Sequence, residues 1–230
     1  MTLLNKSVYL FTKPSLVFFD LKERSDWWFP FTVIIIVTII GTFSTVDLQV
    51  RAQRDFINTS EMIPESKKVE MLDAMDNQSA LNKRVAPAIG SVLSVVISYS
   101  VITAALMLFG NFVYGGQASF KHIFALVSWG GLIGLPELIV KLPMMLMNRT
   151  LHAATSPAIF LSSSESKTLL YNLLDVFDVF TIWKIIVYSI GFAIIYNFSM
   201  KKSYTAVIAL YVVYAGISIS LGQLFKGVML

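Results

Sequence analysis

Apolar positions along this chain are gathered into blocks rather than spread as narrow stripes. Five blocks run from Trp27 to Val46, Ala86 to Tyr114, Phe120 to Met147, Asp178 to Phe198 and Ser203 to Leu224. Each holds about 20 residues or more, the length a helix needs to cross a hydrocarbon core about 30 Å thick. The first opens on Trp27 and Trp28, with Pro30 close behind. Indoles favour the headgroup layer and proline is tolerated in a first helical turn, so this block predicts a helix that begins at the interface. The short stretch Asn197 to Lys202 predicts an antiparallel hairpin of the last two spans. The pattern predicts an all-α, polytopic integral membrane bundle of five transmembrane helices with interfacial, amphipathic helices around it.

Three stretches are not spans. In residues 1–26, Leu4, Val8, Phe11, Leu16 and Phe19 alternate with Lys6, Lys13, Lys22 and Arg24 at roughly helical spacing, and Pro14 interrupts the middle. This predicts an amphipathic segment lying on the membrane, separate from a five-span domain over residues 27–230. Residues 47–85 are polar. Pro64 starts a helix there with Val69, Leu72 and Met75 along one side, which predicts a water-exposed helical hairpin extending the first two spans. Residues 149–177 mix both characters and are expected to lie along the interface or dip into it. There is no internal repeat of fixed period.

Composition supports this class. The chain is 56% hydrophobic and 14% charged, with a mean hydropathy of +0.70. Soluble domains are about 25% charged, and 230 residues could not enclose so much apolar surface in water. The lipid bilayer is therefore the first partner. With no cysteine, disulfides, thiolate metal sites and a cysteine nucleophile are excluded. A net charge of +4, spread along the chain, carries no nucleic-acid footprint. Residues 1–26 are too charged for the apolar core of a cleavable signal peptide. Orientation has two readings. The raw Lys/Arg count favours the side holding residues 47–85. The short segments with Lys6, Lys13, Lys22, Arg24, Lys201 and Lys202 are denser, and by the positive-inside rule they place the amino terminus in the cytoplasm.

Candidate chemistry centres on the stretch GLPELIVKLPMMLMN, residues 134–148. Glu137 and Lys141 form an i, i+4 pair in the better orientation for a helix. In one reading the span ends near Val140 and the pair sits at the headgroups with Lys141 snorkelling. In the other it marks a polar site at a helix broken by Pro136 and Pro143, as in transporters. Lys184 lies about 9 Å into the fourth span at about 1.5 Å per residue, within potential reach of Glu137 or Asp178. The interfacial reading is the expectation carried forward, with Glu137, Lys141, Lys184 and Asp178 as the candidate cluster.

Small residues recur at close-packing intervals: Gly90, Ser94 and Ser98; Gly130 and Gly134; Gly216 with Ser220 and Ser218 with Gly222. Such faces let helices approach closely in lipid. Packing inside the bundle is the expected use, and an interface with a second copy or another membrane protein is the alternative. His122 and His152 lie near interfaces, and no H-E-x-x-H, P-loop or G-x-S-x-G motif is present. The serine run Leu161 to Ser166 has no base at a recognisable spacing. No catalytic residue, metal site or cofactor is expected, and the sequons at Asn58, Asn77, Asn148 and Asn197 are near chance for so serine-rich a chain.

Several stretches together are similar to a known family. KPSLVFFDL, SDWWFPF, IPESKKVEML and LLDVFDVFTIWKIIVYSIGFAIIYNFSMKKSYTAVIALYVVY, with Gly191 in mid-span, resemble the bacterial branch of the Yip (Ypt/Rab-interacting protein) domain family. The resemblance covers nearly the whole chain. It implies a five-span membrane protein without enzymatic chemistry, placed in a bacterial inner membrane. Eukaryotic members bind prenylated Rab-type GTPases. This sequence lacks their D-L-Y-G-P motif and long cytosolic amino-terminal region, so GTPase binding is not carried over. Some bacterial relatives look like accessory subunits of MacB-type ABC exporters. The leading expectation is a scaffold or accessory subunit packed against another membrane protein. The alternative is a small transporter or lipid-handling protein with a polar site near Glu137 and Lys184.

Overall fold

The computed structural model describes residues 1–60, 62–151, 153–161 and 168–227, with side chains to residue 220 except that of Ala80. Regular structure among these residues is helical throughout. Two short helices open the chain, α1 (Leu3–Thr12) and α2 (Pro14–Glu23). The Thr2 hydroxyl accepts the Asn5 N–H to cap α1, and Pro14 becomes the first residue of α2, where an absent N–H costs nothing.

The first crossing, α3 (Trp28–Thr59), continues past Val46 because Leu48 and Ile57 remain buried along its inner side. Next, α4 (Glu65–Asn77) folds back on the polar end of α3. Lys68 Nζ donates to the Asn58 carbonyl at 3.3 Å, and Arg54 pairs with Asp76. Ser79 caps α5 (Ala80–Met107), which widens into a π-helical turn at Leu108–Val113. The third apolar block is two helices, α6 (Phe120–Gly131) and α7 (Gly134–Asn148). At the break the Leu132 and Ile133 N–H groups reach back only three residues, to the Trp129 and Gly130 carbonyls. Pro136 follows inside the first turn of α7, where it needs no donor.

Left-handed Arg149 closes α7 at φ 51°. Beyond it, a 3-10 turn at Pro157–Phe160 brings Ala158 against Tyr171 of α8 (Leu169–Asp175) in a small apolar cluster. The last two spans are α9 (Val179–Tyr196) and α10 (Met200–Gly227). Between them Asn197 adopts φ 58°, and Phe198 N–H bonds the Ala193 carbonyl at 2.9 Å, so the chain reverses at once into the expected antiparallel hairpin. Among the described residues, five helical segments, α6 and α7 together counting as one, are thus long and apolar enough to cross a membrane.

The core is organised around α6, which is buried at every position from Ile123 to Gly131. A helix buried all round must be apolar all round, and that stretch is (IFALVSWGG) apart from Ser128. Aromatic rings set on glycine fix the spacing of its neighbours. A Cβ at Gly130 would meet Tyr188 at 2.2 Å, one at Gly131 would meet Tyr99 at 2.2 Å, and one at Gly110 would meet Tyr196 at 2.2 Å.

The amino-terminal helices differ from the sequence expectation in one respect. Their outer positions Leu4, Val8, Leu16 and Phe19 are exposed, as suits a membrane surface, but Val17, Phe18 and Leu21 of α2 are fully buried against the bundle. Lys6, placed by the alternation on the polar face, is fully buried too. Its ammonium lies 2.6 Å from Asp20 and 2.8 Å from Asp26, with the Trp129 ring centred 5.8 Å away. The Trp129 indole N–H donates to the Asp26 carbonyl at 2.8 Å, which ties this ion cluster to α6. Burial pushes the Asp20 carboxyl up, but hydrogen bonds and charge from Lys6 and the Met1 amino group outweigh it and hold the group below its usual range.

Three measurements follow from this architecture. With no native cysteine, single thiols at Asp73 and Arg149 should label from one side of the membrane and thiols at Gln117 and Lys201 from the other. Labelling of Arg149 and Gln117 from the same side would mean that α6 and α7 do not cross. Lys6→Met should lower folding stability by about 1–3 kcal/mol, because the carboxylates it strands are partly exposed and Asp20 keeps the Met1 amino group, read as a lower melting temperature in detergent. Because folding depresses the Asp20 carboxyl, its contribution is complete above the ordinary carboxylate value of about 4. It is lost as pH falls through the depressed one. Asp20→Asn should therefore be less stable at neutral pH yet show a shallower decline below about pH 4.

Candidate functional site

The four charged residues singled out in the sequence meet in one cluster. Glu137 stands in the first turn of α7, and one helical turn later Lys141 Nζ donates to its Oε1 at 2.8 Å. Lys184, from α9, reaches Glu137 Oε2 at 2.5 Å. Lys141 also pairs with Asp178 at 3.0 Å, so the carboxylates and ammonium groups alternate as Lys184, Glu137, Lys141, Asp178.

Asp178 has a structural reason to be where it is. As the N-cap of α9 its carboxylate accepts the Phe180 and Thr181 N–H groups at 2.9 and 3.1 Å, and Thr155 donates to its other oxygen. The neighbouring Ser156 donates to Asp175 at 2.8 Å, which fastens the segment before α8 to the same end of the bundle.

The cluster is neither solvated nor sealed. Side-chain exposure falls from 29% at Lys184 through 21% at Glu137 to 5% at Asp178. It runs from the end of α9 at Asp178 to Lys184, about 9 Å further along that helix at about 1.5 Å per residue. Lys184 also lines a cavity of about 700 Å³ bounded by α3, α5, α7, α9 and α10. Most of the wall is aliphatic. Threonines of α3 and α9 and tyrosines of α5, α9 and α10 also line it. Tyr188 donates to the Val127 carbonyl at 3.3 Å and Tyr211 to the Val176 carbonyl at 2.9 Å.

The small-residue faces divide. Gly130 is used inside the bundle, under the Tyr188 ring. Gly134 is not: nothing lies within 4 Å of a Cβ built there, and the residue is part of the cavity wall. Gly90, Ser94 and Ser98 on α5 and Gly216 and Ser220 on α10 are exposed, so packing within the chain, the expected use, is corrected for these positions. They occupy outward faces of α5 and α10, the least buried spans, with 11% and 17% of their apolar windows buried against 56% for the α6–α7 span. The pairing of Ser218 with Gly222, the residue His152 and the serines from Ser162 to Ser166 lie outside the described residues or side chains. His122 shares a 2.7 Å hydrogen bond with Ser119 at the start of α6.

Two features escaped the sequence reading. Tyr99, Tyr188 and Tyr196, which seat on glycines, carry no periodic signal because each partner lies on another helix. Lys6 was visible as a charge, but Asp20, Asp26 and Trp129 are brought to it only by folding.

The Yip1 domain family model matches residues 8–222. No curated protein and no solved structure matches the chain.

Glu137 is the shared acceptor of the cluster, whereas Lys141 keeps Asp178 if Glu137 is lost. Glu137→Gln should therefore be more damaging than Lys184→Met, because it strands Lys184. Partial exposure reduces the effect below the about 3–5 kcal/mol of a sealed pair, to about 1–3 kcal/mol. The Glu137→Gln/Lys184→Met double variant should be more stable than Glu137→Gln alone. Melting temperatures and folded yields of the three proteins check this. Small, additive losses would mean that the groups act as independent interfacial charges.

Proposed function

This chain belongs to the Yip1 domain family, and we propose that it is a non-enzymatic membrane scaffold or accessory subunit that works by packing against another integral membrane protein. The observation that carries the reading is the outward small-residue face of α5. A leucine side chain would serve lipid contact as well as or better than glycine or serine, yet Gly90, Ser94 and Ser98 leave a shallow groove beside the exposed Leu93, Ile97 and Val101. In lipid, where there is no hydrophobic drive between helices, close approach of backbones is the main source of association. Gly216 and Ser220 give α10 a second such face.

The partner in this proposal is a different membrane protein, a MacB-type ABC exporter in a bacterial inner membrane with the amino terminus in the cytoplasm. A second copy of this chain is the competing occupant. GTPase binding is not part of the proposal, since the D-L-Y-G-P motif is missing.

The absence of cysteine allows a single thiol at Ile97, exposed on α5, to carry a photo-crosslinker in native membranes. A protein adduct of one defined mass is expected. Gly90→Leu should weaken that adduct severalfold while leaving the melting temperature unchanged, because nothing lies within 4 Å of a Cβ at Gly90. Lipid adducts alone, or equal protein adducts from both forms, would overturn the proposal. An adduct at twice the chain mass would assign the face to self-association and remove the exporter.

A further inference from the structure

The cavity beside the ion-paired cluster is unused by a scaffold, and its chemistry is specific enough to argue. At about 700 Å³ it falls within the range of small-molecule sites, about 300–1,000 Å³. It extends to the bundle surface, since Ile102 of α5 and Tyr214 of α10 line it and are themselves 38% and 66% exposed. An apolar void that opens on a bilayer is filled by lipid chains, because an empty one forfeits the dispersion contacts of its whole wall.

The polar end decides which lipid. Lys184 lines the cavity while held at 2.5 Å by Glu137. Behind them Lys141 and Asp178 complete a group with two positive and two negative charges and no net charge. Such a group gives no net attraction to an anionic headgroup. It does place one fixed cation, Lys184, on the cavity wall and one fixed anion, Glu137, 2.5 Å from it, a pair complementary to a headgroup that carries both signs.

Gly134 points to the same use. It stands beside the cluster on the cavity wall, and a side chain there would meet open space rather than a neighbouring helix. Its lack of a side chain makes room, not helix contact.

We propose that the cavity bounded by α3, α5, α7, α9 and α10 is a binding site for one zwitterionic glycerophospholipid, its acyl chains in the apolar part and its phosphate and ammonium groups at Lys184 and Glu137. No covalent step is involved, and the site is independent of the partner-binding face on α5.

The test uses the full chain reconstituted in nanodiscs of equal phosphatidylethanolamine and phosphatidylglycerol, released into mild detergent and weighed by native mass spectrometry. Wild type should retain one lipid, the zwitterionic one over the anionic one by about tenfold, a difference of about 1.4 kcal/mol. Gly134→Leu, which grows into the void, should lose that lipid without a lower melting temperature. If Gly134→Leu does not fold, Gly41→Leu replaces it, since a Cβ there meets only Leu138 methyls at 3.6 Å. Glu137→Gln/Lys184→Met should keep a lipid but lose the preference. Equal retention by wild type and the cavity-filling variant would show only surface lipid and overturn the site. Equal or greater retention of phosphatidylglycerol by wild type would overturn the headgroup assignment.

Discussion

A charge without water must have a countercharge, and that requirement organises the amino-terminal half of this protein. Lys6 is fully buried, and it is tolerated because Asp20, in the second half of α2, and Asp26, in the segment after α2, both reach it. Asp26 in turn is bound through its carbonyl by Trp129, near the carboxyl end of the most buried helix. The ammonium therefore fixes α1 on α2, and both on α6. Once α2 is held there, Phe18 can lie against Gly191 of α9, where a Cβ would come within 2.8 Å of the ring. The position of the first true span, which begins just after Asp26, is set by the same anchor.

A second, gentler constraint runs through the rest of the bundle. Tyrosines replace small-on-small helix contacts. Tyr188 and Tyr99 lie on adjacent glycines of α6, and Tyr196 lies on Gly110 in the π-helical turn, where it also stacks with Phe198 at 5.2 Å. Lys202 caps that aromatic group, its ammonium 4.3 Å from the Phe198 ring centre and 4.4 Å from that of Tyr114. Bulky rings over bare backbone pack densely at one end of the molecule. Tyr99 and Tyr188 also border the unfilled volume, whose remaining wall comes mainly from apolar side chains of α3, α7 and α10.

The length of the apolar blocks made the crossings legible, since a run of about 20 apolar residues has few other uses. The α9–α10 reversal was legible for the same reason. Where the third block divides was not: the prolines drew attention to Pro136 and Pro143, whereas the hydrogen-bond ladder lapses at Leu132 and Ile133, ahead of both. The polar continuation of α3 to Thr59 was legible as one arm of the water-exposed hairpin expected over residues 47–85, although the point where the arm ends was not. Of the candidate site, the i, i+4 pair was written in the local spacing. Its connection to Lys184 and Asp178 could be raised as a possibility of reach, but distance along the chain says nothing about which helices adjoin. The outward direction of Gly90, Ser94 and Ser98 was equally invisible, because a periodic face does not state which way it points.

The break at Leu132–Ile133 has a mechanical consequence. On one side of it α6 is locked at every position, while α7 on the other side has no buried residue at all. The third span is therefore a fixed post joined to a lever arm. Gly134, Leu135, Leu138 and Met145 on that arm form one wall of the cavity, and Glu137 on the same arm holds Lys184 across the gap. The Glu137–Lys184 ion pair therefore fastens the α7 wall of the cavity to its α9 wall.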